Sequence, residues 1–164
     1  MTDVPSATPA LAPAVALVEA SAKIQSTSPI VSTLGIEVLE LDAEHAVLRQ
    51  PDRVLARNHM GGPHAGAIFT LGETAAATLL VENFEHWLDR LVPLAVSAEI
   101  SWSKLARSAV TAEARMLRPV AEIEAELVAG IRPEWASHVV FRREQDRGVC
   151  AEMTIVLTLV PRRD

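Results

Sequence analysis

The sequence predicts an α+β fold, with one antiparallel sheet of five to six strands wrapped around a long central helix and a helical extension at the N-terminus. Three observations predict it. From Ile68 to Val81 the chain is apolar on nearly every helical face, through Ile68, Phe69, Leu71, Ala75, Ala76, Ala77, Leu79, Leu80 and Val81, and a helix apolar all round is a buried one. The second half alternates apolar and polar residues with a period of two, as half-buried strands do. Neither an internal repeat nor a linker interrupts the 164 residues, a length that suits one domain with a substantial core.

The elements follow in order. Residues 1–28 read as a flexible tail with one short helix: Pro5, Pro9 and Pro13 break its start, then Val15, Val18 and Ala22 recur at helical spacing between Ala14 and Gln25. A single domain is expected over 29–164. Ser28-Pro29 restarts a turn of helix that Gly35 ends. Ile36 to Leu41 and His45 to Gln50 read as a hairpin joined by Asp42-Ala43-Glu44. Pro51 to His59 is a polar loop, and Gly61-Gly62-Pro63 is the strongest breaker in the chain. The buried helix runs from there to about Glu82, and its alanines and glycines would let a sheet or a partner helix approach closely. Leu94, Val96, Ala98, Ile100 and Trp102 then mark one face of a strand, and Val110 to Leu117, His138 to Arg143 and Val149 to Leu159 give three more. Ala121 to Ala129 reads as a short amphipathic helix between them.

Composition excludes several classes of function. A net charge of −6 without any long Lys/Arg run argues against a nucleic-acid partner, whose phosphates dominate such affinity. No run of ~20 uninterrupted apolar residues is present, so no membrane association is expected. The first residues lack the basic start and apolar core of a secretory signal, and the single Cys150 forms no internal disulfide. The cytoplasm is the expected location. No Cys-x-x-Cys or His-x-x-x-His occurs, and the spacing of His59 and His64 is not that of a helical pair, so neither a metal nor another cofactor is expected.

Chemistry concentrates between Asn58 and Glu73, where two histidines, four glycines and a carboxylate lie at the mouth and first turns of the apolar helix. Hydrolysis of an acyl group needs one group to polarise its carbonyl and another to deliver water. Free N–H groups around His64 to Gly66 form the positive end of the helix dipole and suit a developing oxyanion. Glu73 lies in an apolar stretch expected to raise its pKa, fitting it as general base or nucleophile. The competing readings are structural: Glu73 as a buried acid bonded to a loop N–H, Asn58 as a turn residue, and His64 as a cap that packs the helix start. His59 reads as an exposed loop residue.

The order of elements from Leu34 to Val160, and the motif inside it, resemble the hotdog fold and, within it, the PaaI-like acyl-CoA thioesterases. That family's pattern is Asn, six residues later a histidine followed by two glycines, and an acid nine residues after the histidine. Asn58, His64, Ala65-Gly66 and Glu73 fall at those positions, with alanine for the first glycine and glutamate for the usual aspartate. The resemblance implies an acyl-CoA thioesterase with a catalytic set of Asn58, His64, Ala65, Gly66 and Glu73, and coenzyme A thioester as substrate. It also implies a Ser or Thr on the strand after the helix to hold water, for which Ser97 and Ser101 are the nearest candidates. Lys104 and Arg107, with Arg118, are candidates for the phosphates of coenzyme A, and Trp102 and Trp135 for an acyl channel.

Geometry adds an assembly. Ala65 and Glu73 are eight residues apart, roughly 12 Å along one helix, too far to act on one carbonyl. The two halves are therefore expected from different subunits, in a homodimer or a homotetramer built on it. Three rivals remain. A non-catalytic acyl-CoA-binding module would keep the pocket without turnover. A hotdog hydratase or dehydratase would use His59 and Glu73, but the chain lacks that family's proline-rich pattern after the histidine. An N-acetyltransferase would need a phosphate loop that Arg57 to Gly62 misses by one position.

Overall fold

From Ala14 onward the local signals are followed closely. The computed structural model describes residues 12–162, which form α1 (Ala14–Thr27), α2 (Pro29–Leu34), β1 (Glu37–Leu41), β2 (His45–Gln50), α3 (Ala65–Phe84), β3 (Leu91–Trp102), β4 (Val110–Met116), α4 (Val120–Val128), β5 (Glu134–Arg143) and β6 (Val149–Pro161). The strands make one sheet in the order β1-β2-β4-β5-β6-β3, every pair antiparallel. Pro29 opens α2 and Gly35 ends it at φ 67°, the left-handed cap that a side chain would strain. β5 begins before His138 because Trp135 and Ser137 continue its inward alternation.

The core lies between α3 and the concave face of the sheet. Ala46 and Leu48 of β2, Ala112 and Ala114 of β4, and Val139 and Phe141 of β5 are all buried beneath Leu71, Ala75 and Leu79. Small residues set the closeness of this contact: a Cβ on Gly72 would stand 2.5 Å from the Phe141 ring. By length and composition α3 with its following turn would suit a membrane span, but here it lies lengthwise on β2 and β4 as the core of the sheet.

Three expectations change. The helix is not buried all round: Gly66 and Glu73 are exposed, and Thr70, Ala77 and Val81 are half-buried, all on the side away from the sheet. The alternation in β3 predicts one buried face, yet most of the strand is exposed, with Leu94 at 48%, Val96 at 45% and Trp102 at 50%. It is the edge strand farthest from β1, and α3 touches it far less than it touches β2 and β4. A register shift between Ala95 and Ser97 also reverses its parity, so that Leu94 and Ala98 do not share a face. Finally, the helical part of the expected tail is tied down: the Ser21 hydroxyl accepts from Val38 N–H at 2.8 Å, and Gln25 donates to the Ile36 carbonyl at 2.8 Å. The rest of that tail, residues 1–11, lies outside the described residues.

The β1–β2 hairpin carries a pH-sensitive turn. Asp42 Oδ1 accepts the N–H groups of Glu44 and His45 at 2.7 and 2.9 Å, and His45 Nδ1 lies 3.0 Å from its other oxygen. Burial raises the carboxyl, but these N–H groups and the imidazole outweigh it and hold the pKa below the ordinary 3.8. A depressed folded-state pKa contributes stability above the unfolded value and loses it as pH falls through the folded one. Asp42→Asn is therefore expected to lower Tm by about 3–6 °C near neutral pH, with the gap closing below pH 3.8. Thermal melts of both proteins across that range check this; a gap that stays constant in acid would contradict it.

Candidate active site

The loop before α3 is built by Asn58. Its Oδ1 accepts from the N–H groups of Met60 and Gly62 at 2.9 and 3.3 Å, and its Nδ2 donates to the Pro63 carbonyl at 3.2 Å. Backbone bonds close the same loop, from Asn58 N–H to the Gly62 carbonyl and from Gly61 N–H to the Asn58 carbonyl. Gly61 takes φ 79°, and Gly62 presses so near the Ala106 carbonyl that a Cβ would come within 1.8 Å of its oxygen. Asn58 therefore acts as the brace that presents the peptide entering α3, an Asx-type turn spanning the whole loop.

Of the N–H groups expected to face a substrate, one is open. His64 N–H is spent on the Ala56 carbonyl at 2.7 Å. Gly66 N–H donates to Nδ1 of His64, the N-cap residue, at 3.0 Å, which requires Nδ1 to carry no proton. Ala65 N–H has no acceptor among the described residues. It stands at the positive end of a 20-residue helix, where an anionic oxygen is stabilised. Ala65 lines a depression of about 330 Å³ with Asn58, Pro63, Ile68, Trp102 and Lys104.

Glu73 is elsewhere. It is exposed, contrary to the expectation of an apolar burial, because its sequence neighbours Gly72 and Thr74 turn in while it projects from the helix a third of a turn away. It lines a separate cleft of about 370 Å³ between the outer face of α3 and the helices α1 and α2. Within one chain, then, the Asn58–Ala65 half and the Glu73 half do not share a cavity.

The remaining candidates divide by face. Lys104 borders the Ala65 depression, and Arg107 follows Ala106, against which Gly62 packs; neither forms an ion pair among the described residues. Arg118 is taken up by Glu126 at 2.7 Å. Ser101 pairs with Glu152 and Ser97 with Val156, on the sheet face opposite to that of Met153 and Ile155, which are buried under α3. The structure thus does not bring these two serines to Glu73 or Ala65; Ser101 lies in a shallow groove with His138 and Glu152. Trp102 reaches the depression, whereas Trp135 is buried against Phe84 with ring centroids 5.4 Å apart. His59 is exposed on the loop. No group of three His, Cys, Asp or Glu side chains converges for a metal among the described residues.

Sequence reasoning passed over Gln50. Its side chain is 1% exposed, and neither its amide oxygen nor its nitrogen has a partner among the described residues. The signal was present: Ala46, Leu48 and Gln50 alternate inward along β2, so an amide occupies a core position at the strand's end.

Over residues 18–159 the sequence matches the family described as a domain of unknown function, DUF4442. No curated protein matches it significantly. Among solved structures it is similar to a Pseudomonas aeruginosa protein described as of unknown function and a probable thioesterase, at 24% identity and a TM-score of 0.76, covering 88% of this chain and 95% of that one. A Haemophilus influenzae thioesterase is similar at 19% identity and a TM-score of 0.71, covering 88% and 90%. The PaaI protein of the Escherichia coli phenylacetic acid degradation operon is similar at 15% identity and a TM-score of 0.64, covering 88% and 96%. At such identities the likeness carries the architecture, a six-stranded antiparallel sheet around one long helix.

Proposed function

The chain belongs to the DUF4442 family and has the hotdog fold of the PaaI-like thioesterases, and from that premise we propose that it hydrolyses acyl-coenzyme A thioesters in a site shared by two subunits. The observation that carries this reading is the Ala65 N–H at the head of α3, without an acceptor among the described residues, held by the Asn58 loop in a depression that Lys104 borders.

In this reading the thioester carbonyl accepts from Ala65 N–H, and α3's dipole stabilises the negative charge that develops on its oxygen. Glu73 of the second copy takes a proton from water as the water oxygen bonds to the carbonyl carbon. The tetrahedral intermediate then collapses, the C–S bond breaks, and the proton held by Glu73 passes to the departing thiolate. Products are the carboxylic acid and free thiol. Direct attack by the Glu73 carboxylate, followed by hydrolysis of the anhydride, uses the same geometry. Lys104 and Arg107 suit the phosphates of coenzyme A.

The second copy is drawn in by β3. Its outer edge has no partner strand among the described residues, and Leu94 and Val96 leave apolar surface there, an arrangement that a single chain does not usually leave uncovered. Pairing β3 with β3 of a second copy about a two-fold axis covers both. The double variant Leu94→Lys/Val96→Lys is expected to halve the native mass and to lower turnover at least tenfold; native mass spectrometry and rates on one sample check this. A dimer that survives both lysines would remove the edge from the argument.

Release of free thiol from acyl-coenzyme A thioesters tests the activity itself. Turnover supports hydrolysis. Tight binding without turnover would favour a binding module, and water addition to a crotonyl thioester would favour a hydratase.

A further inference from the structure

The cleft that contains Glu73 extends well beyond that carboxylate. It runs along the outer face of α3 beneath α1 and α2, with Ile24, Ile30, Val31, Ala77 and Val81 among its walls. Three threonines on its floor add little polarity. Thr70, Thr74 and Thr78 each donate their hydroxyl to the carbonyl four residues back, of Gly66, Thr70 and Thr74, at 3.0, 2.6 and 2.8 Å. With those bonds made inside the helix, the cleft is offered methyl groups. Charge is left at the two ends: Glu73 at one, and at the other Glu82 and the Lys23–Glu85 pair, which ties α1 to the turn after α3.

We propose that this cleft takes the acyl chain of the substrate, an unbranched aliphatic chain of about ten carbons, with its carbonyl beside Glu73 and its tail under α1. The proposal rests on the hydrolase reading above and adds the substrate class to it. An apolar channel that begins at a carboxylate fits a chain that is apolar everywhere except at its reacting end. Its reach follows from the helix. Glu73 and Val81 are eight residues apart on α3, about 12 Å at ~1.5 Å per residue, and an extended chain advances roughly 1.2 Å per bond. The floor from Glu73 to Val81 therefore matches about ten bonds. The two copies divide the work: one holds the tail and supplies Glu73, and the other supplies Ala65 N–H and the cations.

The test is the ratio of kcat/KM for decanoyl-coenzyme A to that for butyryl-coenzyme A. At roughly fourfold per buried methylene, a ratio of at least about a hundred is expected. Ala77→Phe fills the channel from the floor and Ile24→Trp from the roof, and each is expected to cut that ratio at least tenfold. Should Ala77→Phe fail to fold, Ile24→Trp, on the surface helix, decides alone. A native ratio near one, or a ratio unmoved by a folded variant, overturns the proposal. Absence of turnover on every thioester overturns the hydrolase reading instead. The cleft is then judged by calorimetry with the thioether S-decyl-coenzyme A: binding lost in the folded variant upholds it, and no binding, or binding the variant retains, refutes it.

Discussion

Glu73→Gln is expected to lower kcat for thioester hydrolysis by about 10²–10⁴-fold, the range over which a positioned base contributes. The amide keeps the size of the side chain and removes its capacity to take a proton or to attack. Because Glu73 is exposed and its side chain makes no hydrogen bond among the described residues, stability should move by no more than ~0.5 kcal/mol, as for other surface substitutions. Turnover and a thermal melt on the same preparation separate the roles. Lost activity with an unchanged Tm is the expected result. Retained activity would return Glu73 to the status of a surface acid, and a large fall in Tm would make it structural.

What was legible in the sequence was whatever short-range signals decide. Gly35 stopping α2, the turn Asp42-Ala43-Glu44 and the alternation along β2 each specify a backbone within a few residues, and the structure follows them. What was illegible depended on neighbours distant in the chain. The apolar residues of β3 show which way it can pack but not that it lies at the edge of the sheet, with no strand beyond it among the described residues. The bulge between Ala95 and Ser97 then undoes the simple parity that grouped Leu94 with Ala98. Glu73 was misplaced for a related reason. Being flanked by apolar residues along the chain says little about surroundings in space when each residue turns 100° from the last, and Gly72 faces Phe141 while Glu73 faces out. The motif did locate the helix start correctly. It could not tell which of its N–H groups would remain open, because that depended on the Ala56 carbonyl and on the His64 ring.

That last distinction allows the proposed oxyanion donor, the Ala65 N–H, to be removed by a single substitution. Ala65→Pro deletes the N–H and leaves the rest of the helix start able to form. Ala65 is the first helical residue, where proline is well tolerated. His64 before it already sits at φ −64° and ψ 144°, the extended conformation that a following proline demands. The variant should therefore fold, and its turnover should fall by about 10²–10³-fold, the usual effect of losing one oxyanion donor. Co-expression with Glu73→Gln then tests the shared site. Random pairing makes half of all dimers mixed, and each mixed dimer joins the intact Ala65 of one copy to the intact Glu73 of the other in one of its two sites. Two nearly inactive proteins should together regain about a quarter of native turnover. A site built within one subunit regains nothing, since every copy then carries a defect in its own site. Recovery near a quarter would therefore place Ala65 and Glu73 on opposite sides of a subunit boundary, and no recovery, with mixed dimers confirmed by mass, would confine the chemistry to one chain.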